Sequence, residues 1–136
     1  MTRRIAALTL PLALGLAACE GPTGPSKSSL EGRWQLVSLQ PAGQPAVPAP
    51  SDASFTAEFG SDARLSLVAD CNRCGSAYDA GSGTLSVGTM ACTLAYCATA
   101  PVDTQFSGLV QAAQNWSLEN GELELRSAQG TLRLRR

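Results

Sequence analysis

The sequence predicts a mainly β fold: a small antiparallel β-barrel-like or strongly curved sheet of about 7–8 strands with one α-helix, an α+β chain. Three observations carry this. Apolar and polar residues alternate over short runs, the period of a strand with one buried face. Turn signals separate the runs, Asn120-Gly121 the clearest, because a tight two-residue hairpin needs positive φ at its centre. A single segment carries apolar residues at helical spacing.

In chain order, β-forming residues dominate Leu30–Leu39, where Leu30, Trp34, Leu36 and the following even positions fit one strand face only in part. Residues 40–53 contain Pro41, Pro45, Pro48 and Pro50 and read as an exposed, structureless loop. Phe55, Ala57 and Phe59 alternate, then Leu65, Leu67 and Ala69 after the turn Gly60-Ser61-Asp62. Ala77-Tyr78-Asp79 is a short strand, and Leu85 and Val87 form another beyond Gly81-Ser82-Gly83. Pro101 suits a first helical position. Val102, Phe106, Leu109, Val110 and Ala113 then share one side, which predicts a helix over 101–114 whose apolar stripe covers a face or end of the sheet. Strands resume with Trp116 and Leu118, Leu123 and Leu125, and Leu132 and Leu134. No internal repeat is evident.

The N-terminus carries an address. Arg3 and Arg4 precede the apolar run Ile5–Leu16, then Ala17-Ala18-Cys19. Charge, apolar stretch and small residues make a secretory signal, and the run is too short to span a bilayer. The Cys after the small pair resembles the lipobox of bacterial lipoproteins. That resemblance implies that residues 1–18 are removed, that Cys19 is lipidated on sulfur and nitrogen, and that the chain is membrane-anchored. Glu20 after the Cys, rather than Asp, resembles an outer-membrane signal. Residues 19–29 are then a lipidated N-terminus and flexible tether of small, polar, Pro- and Gly-rich residues, and residues 30–136 form one domain.

Composition excludes several classes. The chain has no His, which removes Ser-His-Asp and Cys-His catalysis and the usual zinc-enzyme ligand sets. The net charge is −1 and no basic stripe suggests nucleic acid. Arg133, Arg135 and Arg136 read as a solvated strand end. Asp70, Asp79 and Asp103 read as scattered solvated acids rather than an ion site. Trp34 and Trp116 read as core rather than as walls of a ligand pocket.

Four cysteines follow Cys19: Cys71, Cys74, Cys92 and Cys97. The spacing admits a four-thiolate zinc site, but an exported chain favours disulfides. A redox-active pair is disfavoured because Cys71-Asn72-Arg73-Cys74 is placed at a strand-to-turn junction, not at a helix start. Pairing within Cys71/Cys74 and within Cys92/Cys97 would close short, strained loops of little entropic value. The other two pairings each close loops of about twenty-odd residues, worth roughly 3 kcal/mol per bridge. Of these, Cys71–Cys92 with Cys74–Cys97 is the one favoured. Asn72 reads as a turn residue whose amide bonds the backbone, not as a catalytic group.

From Gly32 to Leu134 the chain resembles the META/HslJ-like domain family. Gly32-x-Trp34-x-Leu36 looks like its opening strand, and Cys71-Asn72 with Tyr78 like its CN…Y motif. Met90-Ala91-Cys92 after Thr89 looks like its MAC motif, and Phe106-x-x-Leu109 like its helix. Gly121-x-Leu123-x-Leu125 and Gly130-x-Leu132-x-Leu134 resemble its closing strands. Asp70, Cys74 and Ser76 depart from the residues common there, and Thr89 lies one place nearer the Met. The resemblance implies a small β-barrel-like fold with a helix in an exported bacterial protein. Some members are linked to heat shock, antibiotic tolerance or motility. It also implies that Cys71 and Cys92 are the family's pair and that Cys74 and Cys97 were added as a second.

The functional expectation is a non-enzymatic envelope lipoprotein, monomeric, accessory or stress-related, acting by interaction at the outer membrane and facing the periplasm. No cofactor, metal ligand or catalytic residue is expected; the named sites are Cys19 for lipidation and the four disulfide cysteines. The partners are the membrane, through the anchor, and an envelope protein. The alternative is a small-barrel binder of a lipid or hydrophobic ligand, or an inhibitor of a lysozyme or protease. Gly32-Arg33-Trp34 also resembles the lipocalin GxW and supports that alternative. A lined apolar cavity would favour ligand binding; a filled core with a protruding loop would favour protein partners.

Overall fold

A computed structural model describes residues 24–136. The signal segment 1–18 and the lipidation site Cys19 lie outside the described residues. The elements in order are α1 (Lys27–Leu30), β1 (Gly32–Pro41), β2 (Val47–Pro48), β3 (Phe55–Phe59), β4 (Arg64–Ala69), β5 (Asn72–Ala80), β6 (Leu85–Val87), β7 (Ala91–Cys92), α2 (Val102–Ala112), β8 (Asn115–Glu119), β9 (Glu122–Ser127) and β10 (Gly130–Arg135).

Eight strands form one antiparallel path, β6-β5-β4-β3-β1-β10-β9-β8, with β2 added to β1 and β7 to β5. The two ends of the path meet. Thr84 bridges Asn115, the Leu85 N–H donates to the Gln114 carbonyl at 2.9 Å, and the Trp116 N–H to that of Gly83 at 3.0 Å. The sheet is therefore a nearly closed barrel, which leaves few unpaired edges.

Alternation places the core. Phe55, Ala57 and Phe59 point inward from β3, Leu65, Leu67 and Ala69 from β4, and Leu123, Leu125, Leu132 and Leu134 from β9 and β10. The helix α2 contributes Phe106, Leu109 and Val110, and Phe106 meets Phe55 edge to face at a centroid distance of 5.6 Å. Both tryptophans are core residues, as expected. The Trp34 indole N–H donates to the Leu30 carbonyl at 2.7 Å, and the Arg136 guanidinium lies 4.5 Å above the Trp34 ring.

The imperfect alternation of β1 has a local cause. Its register against β10 slips between Leu36 and Ser38, so the buried positions run Trp34, Leu36, then Leu39. One extra residue at a bulge flips the parity.

Three expectations need correction. Residues 27–29, assigned to the tether, join Leu30 in the short helix α1, and Leu30 is fully buried. The 40–53 segment is not wholly a loop: β1 runs to Pro41, and Val47 and Pro48 pair with Leu39 and Ser38. A two-residue strand off the main path tolerates a proline, which lacks only one donor. The strand around Ala77–Asp79 begins earlier, at Asn72, because the turn that precedes it is only two residues long. The helix is Val102–Ala112, inside the expected span.

Tyr78 sits at the far end of β5, where its hydroxyl donates to the Gly60 carbonyl at 2.7 Å. Burial, then the nearby Glu31 and Asp62 carboxylates, push its pKa above the ordinary 10.0. The folded state therefore keeps this proton to higher pH than the unfolded chain. The resulting stability is complete below about pH 10 and is lost as pH rises through the folded pKa. In a Tyr96→Phe background, the phenolate absorbance of Tyr78 should rise only above the midpoint of a free tyrosine; a midpoint at 10 or below would contradict this.

Candidate functional site

The β4–β5 hairpin turns through Asp70 and Cys71, with Ala69 paired to Asn72. Asp70 has φ +55°, a left-handed conformation that Asp tolerates better than most residues. From there β5 alternates strictly: Asn72, Cys74, Ser76 and Tyr78 point inward, and Arg73, Gly75, Ala77 and Asp79 outward.

The chain returns antiparallel to β5 at β7. Cys74 faces Cys92 and Gly75 faces Ala91. The disulfides are Cys74–Cys92, with Cα atoms 4.1 Å apart, and Cys71–Cys97, at 5.6 Å. All four cysteines bridge the 71–74 and 92–97 segments as expected, but the favoured partners are exchanged. The reason is direction. In an antiparallel return the later residue meets the earlier one, so the bridges must nest, Cys74–Cys92 inside Cys71–Cys97. The Cys71–Cys92 pairing that the family resemblance implied, with Cys74–Cys97, would need the two segments to run parallel. Each of the family's two cysteines instead bonds one of the added pair.

Asn72 corrects an expectation: it opens β5 rather than lying in the turn, and its side chain bonds the distant 93–97 segment rather than its own turn. Its Oδ1 accepts from the Ala95 N–H at 2.8 Å and the Thr93 hydroxyl at 3.0 Å, and its amide donates to the Ala95 carbonyl at 2.9 Å. Thr93 continues the ladder, its N–H to the Arg73 carbonyl and its Oγ1 accepting from the Arg73 N–H, both at 2.9 Å. Asp70 anchors the far side by accepting from the Thr99 hydroxyl at 2.8 Å and the Thr99 N–H at 3.3 Å.

This scaffold displays two large apolar side chains. Leu94 is 93% exposed and Tyr96 94%. They flank an open depression of about 370 Å³, shared with Asn72, Pro101, Asp103 and Thr104. Asp103 corrects an expectation: it is buried, not solvated, in the first turn of α2. The partial positive charge of a helix N-terminus favours a carboxylate there. Its Oδ2 lies 3.5 Å from the Asn72 amide, and its Oδ1 has no hydrogen-bond partner among the described residues. Asp79 lies outward on β5, far from Asp70 and Asp103 along the strand. Among the described residues no group of three His, Cys, Asp or Glu is placed to hold a metal ion.

Sequence reasoning found the four cysteines, read Asn72 only as a local turn residue, and missed Leu94 and Tyr96. The available signal was an uncharged stretch, Thr93–Val102, interrupted by a bridged cysteine. Apolar residues two apart there read equally well as a buried strand.

Nearly closed antiparallel sheet, one covering helix and a cystine-framed loop at the rim define a small β-barrel domain. The chain belongs to the META domain family, whose model matches residues 28–136. Three solved structures share the fold. An NMR structure of a protein from Burkholderia xenovorans is 20% identical with a TM-score of 0.64, covering 93% of this chain and 98% of that one. A second NMR structure is 25% identical with a TM-score of 0.61, covering 77% and 88%. A crystal structure of a DUF4847 family protein from Bacteroides vulgatus is 12% identical with a TM-score of 0.56, covering 77% and 92%. A comparison with curated proteins finds no match.

Proposed function

We propose that this META domain protein is a lipid-anchored envelope protein that acts without catalysis, by binding another protein. The observation that carries the binding part is the combination of a filled barrel and a protruding loop. Trp116, Phe55, Phe59 and Phe106 and the inward leucines occupy the interior, while Leu94 and Tyr96 stand in solvent on a doubly bridged loop. That combination supports a protein partner over a lipid held inside the barrel. Monomeric organisation, the outer membrane and a periplasmic orientation belong to the same reading. The membrane address in it rests on the Leu16-Ala17-Ala18-Cys19 signal and on Glu20. Among the described residues no helix is long and apolar enough to cross a membrane. Anchoring then falls to two or more acyl chains, each buried methylene adding roughly 0.8 kcal/mol.

The test is the intact mass of protein extracted from membranes in detergent, with and without reduction before alkylation. The expected species starts at acylated Cys19, and four alkylated thiols appear only after reduction. Cys19→Ser should release the protein from membranes; retention after a high-salt wash would overturn the anchor.

A further inference from the structure

We propose that residues 92–97 form a substrate-like loop that occupies the cleft of a serine endopeptidase with an apolar primary pocket, Leu94 filling that pocket. This commits the protein partner proposed above to one class.

The backbone is prepared for such a cleft. The N–H groups of Thr93 and Ala95 both point at β5, to the Arg73 carbonyl and the Asn72 Oδ1. Alternate N–H groups facing one way is strand geometry. The main-chain groups of Leu94 and Tyr96 therefore face the opposite, open edge, and among the described residues they make no hydrogen bond. Their side chains, two residues apart, share one face and are almost wholly exposed. A free strand edge with alternate protruding side chains is what a peptide cleft receives by strand addition.

Other occupants fit less well. Two side chains supply on the order of 300–400 Å², about half of what one partner buries in a standard interface. Two convex tips of this size would not hold a second copy; a concave cleft that wraps the tip can. A glycosidase cleft presents paired carboxylates, and Thr93–Val102 carries no charge to meet them. The membrane lies elsewhere, if the anchor reading holds. The described chain begins at Gly24, beside Ser82, and Lys27 lies 5.5 Å over the Tyr78 ring. Both are at the Ala80 end of β5, roughly 20–25 Å from its Asn72 end.

The framing also explains how such a loop would resist turnover. When the enzyme's serine Oγ adds to the Leu94 carbonyl carbon, the bond to the Ala95 nitrogen breaks. The hydroxyl proton passes to that nitrogen, giving an ester and a free amine. Neither end can leave. Cys92 is tied to Cys74 and Cys97 to Cys71, and the Ala95 nitrogen rests 2.8 Å from the Asn72 Oδ1. The amine can add back to the ester, restoring the peptide and the serine hydroxyl, faster than water hydrolyses it. Asn72 is thus a positioning residue.

The experiment measures inhibition of subtilisin and chymotrypsin by the full mature protein in detergent micelles. Reversible, saturable inhibition is expected. Leu94→Asp should weaken it about a hundredfold or more, with an unchanged unfolding midpoint. Asn72→Ala should turn the inhibitor into a substrate cut between Leu94 and Ala95 while its initial inhibition constant stays near the parent's, because Asn72 holds the leaving amine and does not touch the enzyme. Failure to inhibit either enzyme overturns the proposal, as does cutting of the parent at the rate of an open peptide. A dimer abolished by Leu94→Asp, or vesicle binding of the Cys19→Ser protein abolished by it, would reassign the loop and also overturn the proposal. Inhibition in micelles does not depend on acylation, so the anchor and the loop fail separately.

Discussion

Replacing Trp116 with alanine should destabilise the domain by about 3–5 kcal/mol, the usual range for emptying a large aromatic site in a core. The ring is 1% exposed, and its indole N–H is shared between the Gly81 and Thr84 carbonyls, each at 3.0 Å. The residue therefore fills the core and ties β8 to the β5–β6 turn where the barrel closes. Its own N–H adds the bond to Gly83 across the same seam. Truncation leaves a cavity and removes the donor from both carbonyls. Against a typical total of about 5–15 kcal/mol, the loss is a large fraction. The measurement is urea unfolding followed by circular dichroism, with the midpoint falling by roughly 2 M. Trp116→Phe keeps most of the ring but not the donor, so it should fall less. If both variants keep the parent midpoint, the seam does not depend on this residue.

That seam illustrates what the amino-acid pattern could and could not reveal. Most strands of the main path were legible, because residues such as Phe55/Ala57/Phe59 and Leu123/Leu125 alternate cleanly, while β5 was read only over its last part, Ala77–Asp79. The helix was legible because Phe106, Leu109 and Val110 recur at its period. What closes the sheet is one bridge, Thr84 to Asn115, between residues that carry no pattern. The bulge at Leu36/Ser38 was visible only as a flaw in alternation. The pairing of Val47 and Pro48 with β1 was hidden by prolines that ordinarily argue against a strand.

The site was legible in part for a different reason. Cysteine spacing and an export signal together imply bridges between two segments, and the structure has them. The partners depend on the relative direction of those segments, which spacing does not encode. Placing Asn72 in a turn rather than at the start of β5 hid its longer reach. The side chain that looked satisfied by local backbone instead holds Ala95, more than twenty residues on. The exposure of Leu94 and Tyr96 follows only once both ends of their segment are pinned.

Removing the Cys71–Cys97 bridge should therefore have two separable effects. Its partners are 26 positions apart in sequence, so the chain-entropy model gives a loss of about 3–4 kcal/mol when both become alanine. The Cys74–Cys92 bridge, with a separation of 18, should contribute slightly less, about 3 kcal/mol. The second effect is local. Without its outer clamp the loop keeps the Cys92 anchor and the hydrogen bonds of Asn72, Thr93 and the Asp70–Thr99 pair, so amide exchange at Ala95 and Thr99 should accelerate more than exchange in β3 or β10. The nesting itself is tested by thiol counts in denaturant. The Cys71→Ala/Cys97→Ala protein should show no free thiol beyond those of the parent. Cys71→Ala/Cys92→Ala should show two more, because it orphans Cys74 and Cys97. The reverse result would mean that β7 does not return antiparallel to β5. The strand-like presentation of Leu94 would then lose its basis as well, since it is that return which turns the Thr93 and Ala95 N–H groups inward and leaves the Leu94 edge open.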